Sequence, residues 1–332
     1  MISTKRAIRP SFAEFVILVS LMMSVTAMSI DAMLPALAQM GSEFNIANAN
    51  DRQLVISTIF LGLAFGQLFF GPLSDRTGRK PAIYIGFALY IAGSLLSMFA
   101  FSFTLLLFGR LLQGIGVSSP RTVTLALVRD QYEGRAMARV MSFVMTVFVL
   151  VPMIAPSLGQ AILLVSGWRA IFGSFVLLTA VILVWFGLRM PETLAADRRA
   201  SFSLRRILAA TRQVIGIRPA IGYTVTAGLI SGAFIGYLNS SQQIFQEQYA
   251  LGDLFPLFFA VMAFSVGVAS FLNSRLVVRF GMRFLVRTAL IVILALSLAL
   301  LATAVATAGH PPVWLFMIMM IPIHFWGGNR FG

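Results

Sequence analysis

The sequence predicts an all-α polytopic membrane protein, and three observations carry that prediction. Apolar residues make up 59% of the 332 residues and Asp, Glu, Lys and Arg only 11%, with a mean hydropathy of +0.91. A soluble domain is nearer half apolar and a quarter charged. The apolar residues also fall in long blocks, and a helix crossing hydrocarbon needs about 20 of them in a row. Finally, the basic residues collect on alternate connections between the blocks, as cytoplasmic loops of a membrane protein do.

Taken in order, the blocks run approximately over 12–36, 53–73, 81–101, 103–128, 138–165, 169–189, 220–240, 254–276, 285–308 and 312–326, the last poorly defined. The first follows Lys5, Arg6 and Arg9 but is too long for a signal-peptide core, so it is expected to stay as a helix. Six spans precede the one long connection, Pro191 to Pro219, which is polar and arginine-rich. The expected organisation is a six-helix bundle over 1–190, a linker over 191–219 and a partial second bundle of about four helices over 220–332. Within the linker, Phe202, Leu204, Ile207 and Leu208 alternate with Arg205, Arg206 and Arg212. That pattern predicts a short amphipathic helix on the inner leaflet.

With the N-terminus in the cytoplasm, 20 of the 25 Lys and Arg fall inside. They are Lys5, Arg6, Arg9, Arg76, Arg79, Lys80, Arg129, Arg135 and Arg139, seven from Arg189 to Arg218, and Arg275, Arg279, Arg283 and Arg287. The net charge of +14 is therefore topology and not a nucleic-acid footprint. There is no cysteine, which excludes disulfides and thiolate metal sites, and the two histidines are His310 and His324. Neither a zinc-protease motif, a phosphate-binding loop nor a nucleophile elbow is present. No cofactor and no metal is implied, and transport would draw on an ion gradient.

An internal repeat supports two related halves. Gly71-Pro-Leu-Ser-Asp75-Arg76-Thr-Gly78-Arg79-Lys80 has a worn echo at Ser274–Arg283, with Leu73, Arg76, Gly78 and Lys80 matching Leu276, Arg279, Gly281 and Arg283. The offset from Gly78 to Gly281 is 203 residues, and it also carries the first span onto the seventh. Duplicated halves are a known construction of secondary transporters, with the binding site between them. The same offset applied to the end of the first bundle runs past residue 332. Counterparts of the fifth and sixth spans are thus expected to be missing, as in a truncated or frameshifted chain.

Several motifs in order give a specific resemblance. Gly71–Pro81 is similar to the G-x-L-x-D-R-x-G-R-[RK]-P signature of major facilitators, between the second and third spans where that family has it. Arg110-Leu-Leu-Gln113-Gly114-Ile-Gly116 resembles the family's R-x-x-Q-G-x-G element on the fourth span. Pro152-Met-Ile-Ala155-Pro156-Ser-Leu-Gly159 resembles its antiporter element on the fifth, with Ala155 where glycine is usual. Met28-Ser-Ile-Asp31-Ala-Met-Leu-Pro35, Arg129-Asp-Gln-Tyr132 and Gly167-Trp-Arg-Ala-Ile-Phe172 resemble the bicyclomycin/chloramphenicol-resistance (Bcr/CflA) branch. The resemblance implies a major facilitator fold with a complete first bundle and an incomplete second. It also implies a drug:proton antiporter of the bacterial inner membrane, working as a monomer on small amphipathic compounds.

The residues can then be weighed individually. Asp31 stands in apolar sequence about a turn and a half from the outer end of the first span. An intramembrane carboxyl is a candidate proton carrier; the plainer reading is a hydrogen-bonding group at the outer interface. The guanidinium of Arg110 stays charged and needs a partner if buried. The resemblance gives it a role in proton coupling, while a snorkel to the interface is the alternative. Arg121, deeper in the same span, is a candidate cavity residue, and Gln113 and Gly114 belong to the motif around Arg110. Gly71, Asp75, Arg76, Gly78, Arg79 and Lys80 resemble the family's inter-bundle gate, in which the carboxylate faces a helix N-terminus of the other bundle; alternatively they only hold topology. Pro152, Pro156 and Gly159 bend or thin the fifth span and fit it to the bundle interface, or form an ordinary membrane proline kink. Asn239, Gln242 and Gln243, amid Phe and Met, suit a broad drug pocket, although such residues equally face lipid. Two rival functions share this pattern: a metabolite permease, and an inactive membrane fragment.

Overall fold

The computed structural model describes residues 10–199 and 204–328, and no strand occurs among them. The first span is α1 (Phe12–Asp31), a 3-10 turn over Leu34–Ala36 and α2 (Leu37–Glu43). There follow α3 (Leu54–Thr77), α4 (Arg79–Met98), α5 (Phe103–Gln131), α6 (Gly134–Ser166) and α7 (Trp168–Arg189). Beyond the linker come α8 (Leu204–Ile215), α9 (Arg218–Gln242), α10 (Phe255–Phe280), α11 (Met282–Ala306) and α12 (Val313–Gly328). Lys5, Arg6, Arg9, Phe202 and Arg330, and the side chains of Leu204, Arg206 and Ile207, lie outside the described residues.

Among the described residues, eight stretches are long and apolar enough to cross a membrane by length and composition. Two of the ten expected spans do not meet that standard. The α12 helix is shorter, and α5, 29 residues long, is diluted by Arg110, Arg121 and a run of Gln, Ser and Thr. Burial explains how α5 keeps that composition: it lies between α3 and α4, with Arg110, Gln113, Ser118, Ser119 and Thr124 all buried.

Close packing of α5 depends on glycine. A Cβ on Gly62 would collide with the Leu111 carbonyl, and one on Gly114 with the Ile59 carbonyl, so α3 and α5 meet backbone to backbone. On the other side, Gly86 and Gly93 of α4 face Ser119 and the Gly109 carbonyl, and Gly116 faces the Tyr90 backbone. Small residues of this kind let membrane helices approach where no hydrophobic effect drives them together.

The remaining helices of the first half pack outside this trio. The α7 helix lies on α4 and α1. It is tied to the first span at both ends, by Arg189 and Trp185 on Glu14 and by Arg169 and Trp168 on Glu43. The α6 helix packs on α1 and, across the two halves, on α10. In the second half, α12 packs on α10 and α11.

The repeat is visible in the backbone. Gly78 (φ 105°, ψ 164°) and Gly281 (φ 79°, ψ 152°) occupy the same left-handed turn between paired helices, a conformation that favours glycine. The helices that follow them, α4 and α11, start one residue later in each case.

Candidate functional site

Arg110 is fully buried, so the alternative of a snorkel to the interface does not hold. Its Nε donates to the Val55 carbonyl (3.0 Å) and its Nη2 to the Ser29 carbonyl (2.8 Å), while Nη1 donates to Gln113 Oε1 (2.9 Å). Gln113 in turn donates from Nε2 to Ser94 Oγ, and Ser94 donates to the Tyr90 carbonyl. The Tyr90 hydroxyl pairs with Ser29 Oγ at 2.6 Å, and the Phe172 ring lies 5.8 Å below the guanidinium. One cation thus joins α1, α3, α4, α5 and α7 through neutral acceptors. A charge held this way without a carboxylate needs every bond it makes.

Asp31 lies deeper than the sequence placed it. Pro35 does not end the first span: a 3-10 turn takes up the proline and the helix resumes to Glu43. The carboxyl is buried, 4% exposed, and forms no hydrogen bond or ion pair among the described residues. It does not pair with Arg110. The two are linked through the α1 backbone, because Arg110 holds the carbonyl of Ser29 one residue before Ile30-Asp31. Gly159 of α6 abuts the Ala32 carbonyl so closely that a Cβ could not fit. Pro152 and Pro156 stand inside the same continuous helix, which packs on α1 and on α10.

The motif at Gly71–Lys80 forms a second cluster on the N-terminal side. Gly71 sits on α3, where an added Cβ would make only ordinary contact with Thr122. Arg79, buried, donates to Asp75 (2.6 Å), Asp130 (2.9 Å) and Ser74 Oγ (2.9 Å). Asp75 and Arg76 are exposed. Glu192 was not foreseen. Its carboxylate accepts from the backbone N–H of Arg79 (2.9 Å) and Lys80 (3.0 Å), capping α4 where Gly78 has no side chain to do so. The sequence signal was the uncapped start of α4; nothing in the spacing pointed to a residue more than a hundred positions away. Lys80 Nζ donates to the Gly187 carbonyl, fastening α4 to α7. Arg121 is half-buried on the C-terminal half of α5.

Between the halves the polar bridges lie on the side opposite the N-terminus. Arg52 Nη1 donates to Glu247 (2.7 Å), Gln243 to Asn50 (3.2 Å) and Gln160 to Asp253 (2.8 Å). Glu247 sits on a π-helical extension of α9, Gln243–Gln248, a distortion often found at functional sites. Gln242 is buried and donates to Gln246 and Glu247, and the buried Asn239 Oδ1 has no partner.

The Major Facilitator Superfamily family model matches residues 19–331. The bicyclomycin resistance protein homolog of Haemophilus influenzae is 29% identical over 308 residues, covering 90% of this chain and 75% of that protein. The multidrug resistance protein MdtL of Escherichia coli O139:H28 is 28% identical over 292 residues (88% and 72%). An uncharacterized MFS-type transporter of Bacillus subtilis, YdgK, is 29% identical over 296 residues (88% and 72%). In fold, the chain is similar to the E. coli xylose transporter XylE in a partially occluded inward open conformation, with a TM-score of 0.75 at 13% identity over 96% of this chain and 83% of that one. The human organic anion transporter MFSD10 gives a TM-score of 0.62 at 16% identity (97% and 86%). With the helices arranged in that fold and the family model spanning nearly the whole sequence, the chain belongs to the Major Facilitator Superfamily of membrane transporters.

Proposed function

We propose that the protein exports small amphipathic, drug-like compounds in exchange for protons by alternating access. The observation that carries this reading is Asp31: a buried carboxyl without a hydrogen-bond or ion-pair partner among the described residues, on the helix that Gly159 of α6 abuts at Ala32. A carboxyl in that position can take a proton in one state and give it up to a competing substrate in the other. The names of the H. influenzae and E. coli relatives support drug export.

In this reading the N-terminal side, where the basic residues gather, faces the cytoplasm, and the Arg52–Glu247, Asn50–Gln243 and Gln160–Asp253 contacts close the periplasmic side. Residues 1–190 and 220–332 move as two bodies about the linker 191–219. Arg110 positions the α1 backbone beside Asp31, so a change in the charge of that carboxyl acts on the α1–α5 contact. The Asp75–Arg79–Asp130 cluster, with Glu192 of the linker, ties α3, α4 and α5 together at the inner end of the first body. Export then follows from the sign of the gradient: protons enter from outside, drug leaves the inside.

The test is transport by everted membrane vesicles energised by respiration. Quenching by ethidium, or accumulation of chloramphenicol, is expected to depend on the proton gradient and to collapse with nigericin. Gradient-independent equilibration of both compounds would contradict the antiport mechanism, and no movement of either would contradict drug export.

A further inference from the structure

The turn between α10 and α11 repeats the turn between α3 and α4 in backbone but not in charge. In the first half the cations are neutralised from within the chain. Arg79 holds Asp75 and Asp130, and the Glu192 carboxylate lies against the backbone of Arg79 and Lys80. In the second half Val278 takes the position of Asp75, and no Asp or Glu occurs from Phe255 to Gly332. Arg279, in the last turn of α10, and Arg283 and Arg287, in the first two turns of α11, are exposed. None of the three forms a hydrogen bond or ion pair among the described residues.

Beside these cations the turn carries apolar surface that water disfavours. Phe280 is 46% exposed, Met282 53% and Phe284 56%. The Phe280 and Phe284 rings stack with centroids 5.7 Å apart, and the Arg279 guanidinium lies 5.2 Å from the centre of the Phe280 ring. Arg283 and Arg287 stand four residues apart and so share one face of α11. Cations without counter-charges and exposed rings thus meet at the ends of two spans, the depth at which hydrocarbon gives way to headgroups.

We propose that this turn is a docking surface for anionic phospholipid, its arginines taking the headgroup phosphate and its phenyl rings lying along the adjoining acyl carbons. A guanidinium matches a phosphate with paired, charge-assisted hydrogen bonds. A zwitterionic lipid brings its own cation to a surface that already has three, and is the poorer partner. The negative charge that the chain itself supplies to the first turn comes at the second from the bilayer. In the orientation proposed above the lipid belongs to the inner leaflet, but its binding requires neither that orientation nor transport.

Because the chain has no cysteine, Met282→Cys carries a single bimane label at the turn. In vesicles, quenching of the label by brominated phosphatidylglycerol is compared with quenching by brominated phosphatidylcholine. This readout uses no substrate and no gradient, so its failure and a failure of the transport reading are told apart. One arginine beside an anionic surface changes binding by about fivefold, and the labelled protein is expected to prefer the anionic lipid by about fivefold or more. Arg279→Gln, Arg283→Gln and Arg287→Gln together are expected to bring the two lipids within about twofold of each other. Arg205→Gln, Arg212→Gln and Arg218→Gln, which remove the same charge at α8 and the start of α9, are expected to leave the preference in place. Equal quenching by the two lipids in the labelled protein with all its arginines would overturn the proposal. So would an equal loss of preference in the two triple variants.

Discussion

Helices α1 and α9 are equivalent in the internal repeat, as are α4 and α11, yet their fates differ. Of the most apolar stretch in the first span, 72% is buried, against 6% in the span that contains α9. For α4 and α11 the figures are 44% and 6%, although α11 has the higher hydropathy, 2.8 against 1.6. The third pair, α3 and α10, is nearly matched at 39% and 33%. Hydropathy therefore does not set burial in this molecule. Neighbours do: α6 lies on α1, α7 lies on α1 and α4, and nothing among the described residues lies in the equivalent places on α9 and α11, whereas α10 is covered by α12 and by α6.

The largest expected effect of breaking this comparison is at Arg110. Arg110→Met removes three donors at once and leaves the Val55 and Ser29 carbonyls and Gln113 Oε1 without them. The loss is expected to be roughly 3 kcal/mol or more, read as early unfolding in mixed detergent micelles. Arg110→Lys is expected to recover little, since an ammonium cannot span three acceptors held in a planar fork.

Glycines sharpen the same contrast. Gly114→Val drives a side chain into the Ile59 carbonyl and is expected to cost about 1–3 kcal/mol or more. Gly232→Val on α9 meets nothing within 4 Å and is expected to leave unfolding unchanged within about 0.5 kcal/mol. Equal effects in the two halves would mean that α9 is as tightly packed as α5.

A subtler version uses the two turn glycines. Gly78→Ala and Gly281→Ala both place a Cβ in the left-handed region, at about 1–2 kcal/mol each. Only Gly78→Ala also meets the Glu192 carboxylate, so it should be the more damaging. Glu192→Gln is expected to weaken the start of α4 by about 0.5–1 kcal/mol, measured as a lower Tm.

Smallest is the bridge between halves. Glu247→Gln removes a part-exposed ion pair worth about 0.2–1 kcal/mol. Because the chain has no cysteine, a single Asn239→Cys reports the change cleanly. Its labelling by an impermeant maleimide from the side opposite the N-terminus is expected to rise about 1.4- to fivefold in Glu247→Gln, the change such an energy corresponds to.

The helices, their pairing and the clustered motifs were legible in the sequence because they depend on local composition and spacing. Span length, basic loops and the Gly78/Gly281 echo all register within a few residues. Contacts that join distant segments did not. Pro35 marks a stop by local rules, but a single 3-10 turn accommodates it, which put Asp31 deeper than expected. Arg110 was readable as a buried cation with Gln113 in its motif, yet its other partners are backbone carbonyls, which leave no mark in the sequence. Glu192 was passed over for the same reason: it matters through partners far along the chain.

At the centre of this account is a competition between proton and drug at Asp31. It is tested most directly by adding saturating ethidium to the purified protein in weakly buffered detergent and following proton release with pyranine. The wild type is expected to release protons on binding, and Asp31→Asn to bind without release. Equal release by the two proteins, or none from the wild type when ethidium binds, would contradict it.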